Sequence, residues 1–73
     1  MKPDEIIEKL HNDKMALLKA GFNPKAVFLS MVEQKEIKLY SRTAITNYVD
    51  GREEIVGLPI VNTMFSDVIS VGI

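Results

Sequence analysis

Apolar residues return at three- and four-residue spacing through the first twenty positions, as Ile6, Ile7, Leu10, Leu17 and Leu18. That spacing places them on one face of a helix and predicts an amphipathic helix over about residues 4–20. Pro3 suits the first helical position, and Asp4 and Glu5 sit where the helix dipole favours negative charge. Lys19 falls in the last turn, and Gly21 can take the left-handed conformation that closes a helix. Lys14 lies inside the apolar arc, so its stem is expected to pack while the ammonium reaches water. Met15 points the other way.

The pattern then shortens. Phe22-Asn23-Pro24-Lys25 reads as a turn, because the residue before a proline avoids helical backbone. Ala26-Val27-Phe28-Leu29 is a continuous apolar run suited to a buried strand, about residues 26–29. Ser30 and Glu33 match the S-x-x-E capping box at a helix start. A second helix is expected over about residues 31–40, with Val32, Leu39 and Tyr40 on its inner side.

From residue 43 to about residue 72 the signals are β. Thr43, Ile45, Tyr48 and Val49 are good strand formers, and Asp50-Gly51 is a strong hairpin signal. A return strand is expected from Arg52 to Val56, and another at Leu58-Pro59-Ile60-Val61. Pro59 restricts that strand to a sheet edge, or itself to the strand's first residues. Met64 to Asp67 reads as a turn and Val68 to Val71 as a last strand. The expected fold is therefore α+β, one domain over residues 1–73: an N-terminal amphipathic helix, a short strand and second helix, then a small, mainly antiparallel sheet.

Charge changes this picture in one respect. Nine basic and ten acidic side chains give a net charge of −1, so no global field draws the protein to nucleic acid or an anionic membrane. The distribution is uneven: residues 1–54 carry nine charges of each sign, and the last nineteen carry only Asp67. The chain has no cysteine, hence no disulfide and no thiolate chemistry. Met1 to Glu5 turns acidic where a signal peptide would become apolar, and Gly57, Pro59, Asn62, Asp67 and Gly72 interrupt the apolar C-terminal run. The expected location is cytoplasmic or virion-associated, without a signal peptide and without a membrane span.

Candidate chemistry is sparse. His11, the only imidazole, stands beside Asn12 and Asp13 on a helix flank and reads as a solvated side chain. Gly21, Gly51, Gly57 and Gly72 are too scattered for a phosphate-cradling loop. Asp4, Glu5 and Glu8 are explained by the helix dipole, and Glu53 and Glu54 are adjacent strand residues that point to opposite faces. No catalytic residue, metal ligand or cofactor is expected, and the protein reads as a non-enzyme. Lys35, Lys38 and Arg42, with Tyr40 and Tyr48 nearby for stacking, make a small basic patch. They would be the contacts of a nucleic-acid-binding regulator, the alternative reading. Glu33 and Glu36 interrupt the patch, so nucleic acid is not the favoured partner.

The low-charge C-terminus is the more informative feature. A run with one charge in nineteen residues lacks the lysines that block sheet edges, so it either packs against its own helices or pairs with another chain. Leu58, Ile60, Val61, Phe65 and Val71 are the candidate core or interface residues. Partners are expected to be a second copy of the chain or a larger phage or host protein.

The motifs of residues 24–73 carry a resemblance. Val27-Phe28-Leu29-Ser30 leading into a helix, then Gly57-Leu58-Pro59-Ile60-Val61, a turn, and a closing Val68-Ile69-Ser70-Val71-Gly72 strand resemble the late region of tailed-phage major capsid proteins, whose fold encapsulin shells share. The first stretch is similar to that family's strand-and-cap element and the second to its G-x-P-V strand. The chain has no counterpart of the family's spine helix or extended arm, so the resemblance is to the axial domain alone. It implies a small phage- or prophage-type structural or interaction protein with a mixed α/β fold and no catalytic residues.

Overall fold

The computed structural model describes residues 1–65 and 68–73. Its elements follow the order α1 (Pro3–Lys19), β1 (Ala26–Ser30), α2 (Met31–Tyr40), β2 (Ile45–Asn47), β3 (Glu53–Ile55), β4 (Leu58–Thr63) and β5 (Ser70–Gly72). The strands form one sheet in the order β2-β3-β4-β1-β5. β1 and β4 run parallel, with Val27 opposite Ile60 and Phe28 opposite Val61. The other three pairings are antiparallel. The fold is α+β, as the residue pattern implies, and the sheet is mainly antiparallel around one parallel pair.

Both helices lie on the same side of the sheet. Val27 and Leu29 of β1 and Ile55 of β3 are fully or almost fully buried there with Ile6, Leu10 and Ile37 of the helices, and Ile45 and Leu58 complete the core. Strand alternation then sends Phe28, Glu54, Pro59 and Val61 to the opposite side.

Local chemistry explains where α1 stops. The Phe22 N–H donates to the Leu17 carbonyl at 2.9 Å and the Gly21 N–H to the Leu18 carbonyl at 3.1 Å. Gly21 has φ +87°. These are the paired bonds of a Schellman motif, which satisfies two of the carbonyls a helix leaves open.

Ser30 begins α2 in a variant of the expected capping box. Its Oγ accepts the Glu33 N–H at 3.3 Å, and its hydroxyl donates to the Glu33 carboxylate at 2.6 Å. The carboxylate therefore holds the hydroxyl and does not reach back to the Ser30 backbone.

Side-chain orientation corrects several expectations. Val32, Leu39 and Tyr40 face outward; Leu39 is 84% exposed. The inner positions of α2 belong to Glu33, Gln34 and Ile37. Gln34 explains this rotation: its Nε2 donates to the Leu29 carbonyl at 3.1 Å and to Asn62 Oδ1, tying helix to sheet. Polar bonds, which periodicity of apolar residues does not register, fix the inward arc. Leu18 is likewise exposed at the end of α1. The Lys14 ammonium, on a half-buried side chain, also donates to the Val56 carbonyl at 2.7 Å.

The strands differ in length and place. The Tyr48–Arg52 link closes with Tyr48 N–H to Arg52 carbonyl and Gly51 N–H to Tyr48 carbonyl bonds. The return strand is only Glu53–Ile55, because Val56 and Gly57 form the next turn. β4 is a central strand, and Pro59 is its second residue. The closing strand starts at Ser70, not at Val68. Ser66 and Asp67 of the expected turn lie outside the described residues.

The turn between β3 and β4 carries local strain. Val56 has φ +48° and Gly57 φ +78°, so both central residues are left-handed, as a type I′ hairpin requires. A β-branched residue pays for that conformation, whereas asparagine adopts it readily. Val56→Asn is expected to raise stability by about 1 kcal/mol after the loss of half-buried valine packing, roughly a 5 °C rise in Tm. Thermal unfolding followed by circular dichroism checks this; a lower Tm would show that the packing outweighs the strain.

Candidate protein-interaction face

The sheet has two unlike faces, and the residues that sequence patterning singled out divide between them. Leu58 is buried on the helix side, and Ile60 and Val71 pack partly buried against the same core. Val61 is 43% exposed on the other side, and Phe65, beyond the end of β4, is 72% exposed. Only the first three are therefore core residues. Val61 and Phe65 are surface.

The face turned away from the helices is built by alternation. β1 contributes Ala26 and Phe28, β4 contributes Pro59, Val61 and Thr63, and β5 contributes Ser70 and Gly72. The β2–β3 hairpin adds Thr46 and Glu54, which are paired across the ladder. None of these nine residues is buried, while their helix-side neighbours Val27, Leu29, Ile55 and Leu58 all are; Ser30, the last position of β1 in the same alternation, is buried where it caps α2. No described element covers this face.

At its centre Phe28 and Val61 stand opposite each other in the parallel ladder. Phe28 also leans over the edge strand: a Cβ placed on Gly72 would fall 2.5 Å from the Phe28 ring. Glycine at 72 lets the ring lie flat on the backbone, which leaves the face smooth.

Charge is confined to one corner. Glu54 accepts a hydrogen bond from the Tyr48 hydroxyl at 2.9 Å, and the Arg52 guanidinium lies 4.6 Å from the centre of the Tyr48 ring. Arg52 in turn pairs with Asp50 at 2.8 Å. The bond to Glu54 and that carboxylate's charge push the Tyr48 phenol above its ordinary range. Each of these groups is already engaged by a neighbour, so the corner is a closed polar cluster beside an otherwise uncharged surface.

The basic positions do not converge in the same way. Lys38 forms a 2.6 Å ion pair with Glu53, which projects to the helix side, opposite to Glu54. Lys35 lies one turn before Lys38 on α2 and lines the same shallow pocket, and Arg42 is exposed beyond the helix end. Arg52 lies over one face of the Tyr48 ring, and the Tyr48 hydroxyl is bonded to Glu54.

A second apolar region adjoins the start of α2. Met31, Val32 and Met64 line a shallow groove with Ser30, Asn62 and Thr63, where the parallel strands β1 and β4 end. Gln34 Oε1 is buried nearby without a donor among the described residues. Sequence reasoning missed this arrangement, because it depends on β1 and β4 being neighbours.

Among the described residues, no three His, Asp or Glu side chains gather closely enough to hold a metal ion, and no helix is long and apolar enough to cross a membrane. No known protein family matches the chain, and no curated protein and no solved structure matches it significantly.

Proposed function

We propose that this protein is a non-enzymatic interaction protein of phage or prophage type, and that the open face of β1, β4 and β5 docks on a larger partner protein. One observation carries the reading. Nine sheet residues on this side are exposed or half-exposed, and only Glu54 among them is charged, already bonded to Tyr48. Protein interfaces are depleted of charge at their centres and enriched in aromatic residues, and Phe28 with Val61 supplies such a centre. The low-charge C-terminal stretch thus has two uses: one side of each strand fills the core and the other forms the docking face.

Support for the phage setting comes from the resemblance to capsid axial domains. The sequence stretches that carry it, residues 27–30, 57–61 and 68–72, fall in or beside β1, β4 and β5. The engagement of Lys38 by Glu53 and of Tyr48 by Arg52 weighs against the nucleic-acid reading.

The test is co-expression with the proteins encoded beside its gene, followed by co-purification. One of them is expected to travel with the wild-type chain and to be lost with Val61→Lys, a change at an exposed position that leaves the fold intact. Retention of the same partner by Val61→Lys would overturn the assignment of this face.

A further inference from the structure

β5 is the outermost strand on its side of the sheet, and no strand among the described residues pairs with its free edge. Residues 68–73 carry no charge and no proline, the two devices that usually block strand pairing. The opposite edge, β2, is flanked by more charge: Arg42 stands three positions before it and Asp50 and Arg52 follow in its hairpin, whereas β5 has Asp67 alone, three positions before it.

A groove of about 360 Å³ runs beside the β5 edge, between the strand and α1. Its helical wall presents Ala16 and Ala20, with Leu17 and Phe22 alongside and Asp13, which Lys9 engages, also in the lining; Ser70 and Val71 form its strand wall. Phe22 is half-exposed, held there by the Schellman bonds that end α1. Two alanines one turn apart leave room for an added strand, whose inward side chains would enter the groove.

We propose that this edge is where two copies of the chain associate, β5 pairing antiparallel with β5 of a second copy about a two-fold axis at Val71. The sequence is self-complementary in that register. Val71 meets Val71, Ser70 meets Gly72, and Ile69 meets Ile73, so no like charges are opposed. Ile69 and Val71 already pack on the helix side, while Ile73 is exposed. Pairing places all three in one apolar ladder between the two α1 helices. A chain of 73 residues also gains stability from such burial, because its own core is small. The edge is distinct from the open sheet face, and both can be occupied together.

Sedimentation velocity on the full chain, from low to high micromolar concentration, tests the proposal. The wild type is expected to show a monomer–dimer equilibrium. Ala16→Arg, which fills the groove from an exposed helix position, and Ile73→Lys are each expected to weaken dimerisation about tenfold or more, with melting unchanged at low concentration, where the wild type is monomeric. Leu39→Lys on α2 and Val61→Lys on the open face leave it intact. Hydrogen exchange at residues 69–73 slows as the wild-type concentration rises. A wild type that stays monomeric throughout would overturn the proposal, as would a dimer that both edge variants leave unchanged. Neither result bears on docking through Val61.

Discussion

Leu29→Ala is expected to cost about 3 kcal/mol, within the usual range for emptying a fully buried leucine site. Leu29 is 0% exposed and sits on β1, the strand that joins β4 to β5. Its carbonyl also receives the Gln34 amide, so a cavity here loosens the position where α2 is tied to the sheet. For a domain of this length total stability is roughly 4–10 kcal/mol, so the variant retains a small margin at best. Urea unfolding measures the difference. A loss below about 1 kcal/mol would mean that the helices do not pack on β1 as described.

Ser30→Ala is expected to cost about 2–3 kcal/mol, more than an ordinary helix cap. Two losses combine. The Glu33 N–H loses its acceptor at the start of α2, and the Glu33 carboxylate, on a residue only 6% exposed, loses the hydroxyl that donates to it. Leaving a buried acceptor unpartnered is the larger part. The double variant Ser30→Ala/Glu33→Ala is therefore expected to cost at least about 1 kcal/mol less than the two single changes together. Strict additivity in the same urea experiment would show that the two side chains are not coupled.

These two positions show how far the sequence could be read. Ser30 and Glu33 announced the start of α2 three residues apart, and α1 was legible from Ile6, Leu10, Pro3 and Gly21. Those signals are local: a cap, a turn and a repeating apolar stripe each lie within one helical turn of what they specify. The inward face of α2 was not legible. Val32, Leu39 and Tyr40 are the apolar residues there, yet Gln34 turns the helix by bonding Leu29 and Asn62, the latter 28 positions away. Lys14 shows the same limit, since its acceptor on Val56 is 42 positions distant.

The site followed a similar division. Leu58, Ile60, Val61 and Val71 belong to strands that patterning found, but a short apolar run does not say which side of a strand will be covered. The pairing of β1 with β4 decides that, by setting Val27 beside Ile60 and Phe28 beside Val61. Once the helices lie over Val27 and Leu29, Val61 and Phe28 are left on the outside. Phe65 lies beyond Thr63, the last residue of β4, and so outside the strand alternation that sorts the others.

The central claim is that the uncovered sheet face binds a partner, and an affinity measurement on a purified complex tests it most directly. With the co-purifying protein held fixed, Val61→Lys is expected to weaken binding about a hundredfold, as loss of a central interface residue does. Leu39→Lys, a more exposed apolar position on the helical side, is expected to change it less than about threefold. Binding that survives Val61→Lys and falls with Leu39→Lys would place the interface on α2 and contradict the account.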